Sequence, residues 1–148
     1  MNSVDLNKKY SEFGLFHACY LIGEQKRGAP QLNLNVVVNT VQHVVNGEGK
    51  LFLDQPNQNV YRVNGEYNYL CTMKDCHILM VIEGVPLLKS WPAQAGVGPQ
   101  LPVTMKARLL LDETFKKGVA YFQYQDTKGE WHEVSDVPVQ MESCQKLP

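Results

Sequence analysis

The most chemically suggestive neighbours in this chain are His17 and Cys19, because an imidazole beside a thiol is the pairing that activates a cysteine nucleophile. Such catalysis needs the two groups within hydrogen-bond reach and a third group to orient the ring. On a strand, side chains two residues apart sit about 6–7 Å from one another, judged from the rise per residue, and direct proton transfer fails. His17 is therefore expected to be a satisfied core histidine. The second grouping, Cys71-x4-Cys76-His77, offers zinc at most three ligands, with His77 facing away from both sulfurs. Cys71 and Cys76 flank a hairpin turn and share a face with Val63, Tyr67, Tyr69, Ile78, Met80 and Ile82. They read as small buried hydrophobes, with a local disulfide as the alternative. His43 and His132 have no sequence neighbour that suggests ligation.

The carboxylates Asp54, Glu66, Glu83, Asp112, Glu113, Asp126, Glu130, Glu133 and Asp136 fall at strand ends, turns and wet faces, where solvation accounts for them. No pair is singled out as the acid and base of a glycosidase-like site. Gly96-Val97-Gly98-Pro99 lacks the spacing and the following helix of a phosphate-cradling loop. We expect no catalytic residue, no metal ligand and no cofactor. Aromatic side chains are the better binding candidates: Tyr121, Phe122 and Tyr124, with Trp131 across the last hairpin, put rings on both faces of a sheet. Trp91 stands in a proline-rich loop, where packing gives less reason for a tryptophan. Trp91, Tyr121, Tyr124 and Trp131 are the expected ligand- or partner-binding residues.

What would hold them is a sheet. Val45-Asn46-Gly47-Glu48-Gly49-Lys50-Leu51 and Val63-Asn64-Gly65-Glu66-Tyr67-Asn68-Tyr69 repeat one pattern, with odd positions apolar or glycine and most even positions polar. A period of two is that of a half-buried strand. Leu32, Leu34, Val36 and Val38 alternate with Asn33 and Asn35 in the same way. Further strands run over Gly14 to Gly23, Cys76 to Glu83, Val103 to Leu111, Val119 to Gln125 and Glu130 to Val134, with Val137, Val139 and Met141 extending or bending the last. Glycines inside strands call for a bulge, sharp coiling or a large side chain overhead, as in a barrel wall. Asp126-Thr127-Lys128-Gly129 suits a turn with left-handed glycine. Leu110 to Lys117 is the best candidate for a short helix. The chain is thus expected to be all-β, with about eight antiparallel strands in a meander that forms a β-barrel or a β-sandwich. Residues 1–13 form a polar lead-in, 14–143 a single domain, and 85–102 a long Pro/Gly-rich loop within it.

With 148 residues, 44% of them hydrophobic, 20% charged and a formal net charge of −1, this is an ordinary globular composition. Its basic residues are scattered, so no stripe exists to neutralise nucleic-acid phosphates. The opening residues lack the apolar run of a secretory signal. No segment reaches the length of a membrane span. Four cysteines without a disulfide framework suggest reduced thiols and a cytoplasmic protein, or one exported without a cleaved signal.

In Gly14-Leu15-Phe16-His17-Ala18-Cys19-Tyr20-Leu21-Ile22-Gly23, Gly96-Val97-Gly98-Pro99, Gly118-Val119-Ala120-Tyr121-Phe122-Gln123-Tyr124 and Gly129-Glu130-Trp131-His132, the chain resembles a small bacterial domain-of-unknown-function family, over nearly its whole length. The resemblance implies a bacterial source and one compact domain, and brings no catalytic residue, cofactor or substrate. The preferred function is a non-enzymatic binding module that meets a glycan or protein through the loop and its aromatics. Bacterial β-rich modules of this kind include sugar binders and parts of secreted toxins, an analogy of fold alone. The alternatives are a closed barrel around a small apolar ligand, and, behind it, a hydrolase or isomerase. Edge strands would also allow a homodimer by sheet pairing.

Overall fold

The structure, a computed structural model, describes residues 14–53, 59–87 and 102–144. Eight strands follow one another along the chain: β1 (Leu15–Ile22), β2 (Gln31–Asn39), β3 (Val44–Phe52), β4 (Asn59–Cys71), β5 (Cys76–Pro86), β6 (Met105–Leu111), β7 (Lys117–Gln125) and β8 (Trp131–Glu142). Each pairs antiparallel with its neighbours in sequence, and β8 returns to β1, so the meander closes into a barrel. The barrel alternative is the one realised, not the sandwich.

Alternation drives the closure. Leu32, Leu34, Val36 and Val38 of β2 are all at most 1% exposed, as are Met105, Ala107, Leu109 and Leu111 of β6. A sheet that greasy on one face must hide it, and eight strands enclose just enough room for their own side chains. Tyr20, Tyr61, Tyr67, Phe122 and Tyr124 fill the interior with rings. The outer wall carries Glu48, Arg62, Glu83, Lys106 and Arg108 at mid-strand. These charges stand among exposed Val37, Val81 and Val119, unlike the unbroken apolar band of a barrel embedded in lipid. Among the described residues, no helix is long and apolar enough to cross a membrane.

The two repeats turn out to be each other's partners. Val45 lies opposite Gly65, Asn46 opposite Asn64 and Gly47 opposite Val63, so each valine faces a glycine. A Cβ on Gly65 would overlap the Val81 carbonyl oxygen, and one on Gly47 the Asn35 carbonyl oxygen, because coiled neighbouring strands cross there at backbone contact. Gly49 instead lies beneath Leu34 and Val63, each 3.2 Å from where a Cβ would stand. Two of the three expected reasons for strand glycine are thus realised, coiling at two positions and overhead packing at the third.

Three expectations need correction. Leu110 to Lys117 is not helical: β6 runs through Leu111, and residues 112–116 make a tight turn before β7. The Asp112 carboxylate accepts hydrogen bonds from the Thr114 and Lys116 backbone amides. This lets Phe115 adopt a φ of 64°, and the Tyr20 hydroxyl donates to its carbonyl oxygen at 2.8 Å. The Phe115 ring packs edge-on against Phe16 and Tyr67, stoppering one end of the barrel. A helical run of polar and apolar residues was in fact a plug, held by local hydrogen bonds that override propensity.

The second correction concerns the thiols. Cys19 is bonded to Cys144, and Cys71 to Cys76, so none of the four is a free thiol. Cys71 and Cys76 do share a face and are register partners, as parity required, but they sit at the rim beyond the core. There, cross-strand partners lie close enough to bond. The third concerns His17, which lies on the outer wall of β1, exposed, with its Nε2 hydrogen-bonded to the Asn35 side-chain oxygen. Parity explains it: the interior positions of β1 are Ala18, Tyr20 and Ile22.

Closure also limits the expected sheet-edge pairing to the stretches of β1 and β8 that lie beyond their four shared register pairs, Cys19–Ile22 with Val139–Glu142. Every other neighbouring pair of strands shares at least seven. The bond from Cys19 to Cys144 spans 125 residues and fastens this shortest seam. In the chain-entropy account a bond closing so long a loop contributes about 4–5 kcal/mol, and one closing a hairpin about 2 kcal/mol. Cys144→Ser should therefore lower the urea midpoint clearly more than the Cys71→Ser/Cys76→Ser double change. Equal losses in equilibrium denaturation would contradict the seam's role.

Candidate functional site

The outer wall has its own order. Register places Asn46, Asn64, Glu83, Lys106, Gln123 and Glu133 side by side on six successive strands, β3 to β8. Each belongs to the polar phase of its strand, so one physical rule, wet positions facing out, lines up amide, carboxylate and ammonium groups around the barrel. Two depressions lie along this row. One, of about 410 Å3, is lined by Val81, Glu83, Lys106, Arg108, Tyr121 and Gln123, with the backbone of Ile82 and Ala107 as its floor. The other, of about 460 Å3, is lined by Val44, Asn46, Asn64, Gly65, Glu66, Val81 and Glu83. Val81 and Glu83 line both, so the two depressions adjoin at β5 and together make up the trough, from β3 to β7.

Aromatic rings stand at one end of it. Tyr121 faces outward opposite Arg108, and its hydroxyl lies 3.5 Å from Gln123 Oε1. The Glu133 carboxylate, accepting from the same hydroxyl, pushes the phenol above its ordinary value; partial burial adds to this and Arg108 pulls the other way. Trp131 is 41% exposed, with Lys106 Nζ 5.7 Å from its ring centre, within cation–π range. The trough end is therefore built of a ring, a cation, an anion and amides, all reachable from solvent.

A bulge shapes this end. Ala120 pairs with Val137 and Phe122 with Val134, so Ser135 and Asp136 together oppose the single residue Tyr121. Asp136 takes up the extra length with a φ of 54°. The inward phase of β8 switches here, from Val134 to Val137 and Val139, which is how the last strand both bends and continues as expected.

Of the four expected site residues, the structure brings Tyr121 and Trp131 to the same wall. Tyr124 is 9% exposed and lies inside, tilted against Phe122 and stacked on His132 at 5.2 Å. Burial raises its phenol. It belongs to the barrel's packing and not to the trough. Trp91 falls outside the described residues, as do the lead-in 1–13 and most of the loop 85–102, although Val85 and Pro86 finish β5. Lys106, Arg108, Glu83 and Gln123 were not among the expected site residues, and Glu83 was read only as a solvated carboxylate. Their signal was the polar phase of β5, β6 and β7, but only register reveals that the phases align.

A second cluster of ligand-type side chains occupies the last hairpin turn. His132 Nε2 lies 2.8 Å from Asp126 Oδ2, while Asp126 Oδ1 accepts from the Lys128 and Glu130 amides. These hydrogen bonds, His132 first, hold the Asp126 carboxyl below its usual range. The carboxylate is thereby spent on shaping the turn, with Gly129 at φ 87° as its expected left-handed residue.

The model of one protein family, described as a domain of unknown function (DUF1842), matches residues 13–131. No curated protein matches the chain. Because Glu133 is the first cause of the Tyr121 shift, Glu133→Gln should bring that phenol back down toward 10. The difference between Glu133→Gln and Glu133→Gln/Tyr121→Phe in a spectrophotometric tyrosine titration isolates this group; an unchanged Tyr121 would show the contact to be absent.

Proposed function

This chain belongs to the DUF1842 family, and from that premise we propose a non-enzymatic module that binds a glycan along the outer trough of its barrel. The observation that carries this reading is the unbroken row from Asn46 to Glu133, ending beside the half-buried ring of Tyr121 and the exposed ring of Trp131. Sugars present dense hydroxyls that both donate and accept. Side-chain amides match both, carboxylates accept and ammonium groups donate. Their C–H faces pack on aromatic rings, and Trp and Tyr combine apolar area with a hydrogen-bonding edge. A flat protein partner would be served by fewer alternating charges and a more apolar centre. The expected exposure of the trough to solvent fits weak, repeated binding better than enclosure of a substrate for chemistry. Two disulfides fit an oxidising compartment, which supports the exported of the two expected locations.

Screening on a glycan array followed by calorimetry tests the proposal. Trp131→Ala and Lys106→Ala should each weaken the best hit about tenfold, the effect of removing one well-placed contact, while leaving the melting temperature nearly unchanged. Retention of no glycan, or binding indifferent to both changes, would refute it.

A second reading, a barrel that holds a small apolar ligand, draws on one observation. The Tyr67 hydroxyl is buried with no partner in hydrogen-bonding geometry among the described residues, and burial foremost, with the nearby Tyr69 hydroxyl adding to it, holds its phenol up at about 12. A ligand with a single polar atom would satisfy it. Packing speaks against the reading, since a Cβ on Gly84 would come within 2.8 Å of Met105 Cε. Native mass spectrometry of the purified chain decides: a retained small molecule that is lost in Tyr67→Phe supports the interior site, and a bare chain mass removes it.

A further inference from the structure

Outside the trough, the densest grouping of reactive atoms lies at the β1–β8 seam. His17, Cys19 and Cys144 bring one ligand-type atom each within 4.8 Å of one another, and His17 Nε2 is 4.0 Å from Cys19 Sγ. Spacing along the strand suggested a separation beyond reach, but that figure measures backbone. An imidazole reaches several ångströms from its own Cα and leans over the neighbouring sulfur. Nothing local ties Cys144 to this pair, since it enters from the far end of the chain.

We propose that, when the Cys19–Cys144 bond is reduced, these three side chains bind a zinc-class divalent ion and so keep the seam fastened. Two thiolates and an imidazole are the donor set that such an ion prefers, with a fourth tetrahedral position left for water or the Asn35 side-chain oxygen already beside His17. The two sulfurs must separate from bonded distance to two corners of a coordination tetrahedron. Cys144 can supply that movement, because it lies two residues beyond the last residue of β8 and outside the ladder. Cys19 stays fixed in β1, 1% exposed although it points away from the interior, while the exposed His17 leaves the site open to an incoming ion.

The chemistry balances. A dithiol reductant passes two electrons to the disulfide, giving two cysteine thiols and its own disulfide. The divalent ion then displaces one proton from each thiol and takes both sulfurs as thiolates. Reoxidation by another disulfide reverses the exchange and expels the ion. The seam is thus closed by a covalent bond in oxidising surroundings and by coordination in reducing ones. This site is independent of the glycan reading, since β5 at the centre of the trough is four strands from β1 in either direction around the barrel.

Cobalt(II) is a suitable probe, since thiolate ligation gives it a near-ultraviolet charge-transfer band and tetrahedral geometry gives intense visible bands. The full chain with Cys71→Ser/Cys76→Ser, reduced by a water-soluble phosphine, should bind one cobalt per chain with both features, and zinc should displace it. The oxidised protein and a further Cys144→Ser change should show neither. His17→Gln, on an exposed position that leaves the core intact, should weaken binding at least tenfold. If the double serine variant fails to fold, the reduced wild-type chain serves: added zinc should raise its melting temperature, and His17→Gln should abolish most of that rise. Absence of the bands after reduction, their survival in Cys144→Ser, or indifference to His17→Gln in either assay would overturn the proposal.

Discussion

Everything in this fold depends on joining the first strand to the last. Seven of the eight strand junctions are hairpin neighbours in sequence, cheap to form because little chain must be ordered to bring them together. The eighth joins residues near 20 to residues near 140 and shares only four register pairs. Without it the sheet would present two edges and an unclosed apolar face. With it, Tyr20 and Ile22 of β1 complete the wall around Val137 and Val139. A covalent bond placed at this junction acts where loop-closure entropy is greatest, and the structure spends its longest-range cysteine pair there.

Closure brings a second constraint, curvature. A wall of eight strands has to coil tightly, and the paired valine–glycine repeats of β3 and β4 are the local answer. Where a strand bends so far that its neighbour's carbonyl fills the space of a side chain, only glycine fits, and the valine opposite restores the lost volume. The same repeat therefore sets register: a slip of one residue would place valine against a carbonyl and asparagine in the core. Near the last hairpin, curvature is instead met by the bulge at Ser135 and Asp136.

This explains which parts of the structure could be read from the residues. The inward set of β2 and β6 was legible because alternation is a local property, and so was Gly129, whose turn is made within four residues. Barrel closure was not, because the β1–β8 pairing leaves no local trace. Cys19 and Cys144 looked unrelated for the same reason, and His17 was assigned to the core although its parity put it outside. Leu110 to Lys117 misled because the interactions that hold its turn, from Asp112 beneath and Tyr20 across the barrel, lie partly outside the segment. At the trough, Tyr121 and Trp131 could be picked by residue type, but not Lys106 or Glu83, which matter only through their neighbours on other strands.

A filled barrel also directs where function can reside. Among the described residues, rings from three strands, β1, β4 and β7, occupy the interior, and Phe115 packs across one end. Interior residues are fully committed to packing, so substitutions there change stability first. The outer wall is under no such obligation. Its row from Asn46 to Glu133 need only be polar for the sheet to fold, and any polar residue would do. That six different strands nonetheless present amides and opposite charges in one line, beside two solvent-facing rings, is more than folding demands. The trough along this row is centred on β5, the strand opposite the seam, where the barrel is held by its longest ladder, β4 with β5. Recognition surfaces are most useful on rigid elements, because ordering costs are already met before the ligand arrives. The longest ladder and the polar row coincide, and this coincidence supports the reading of the trough as a binding site.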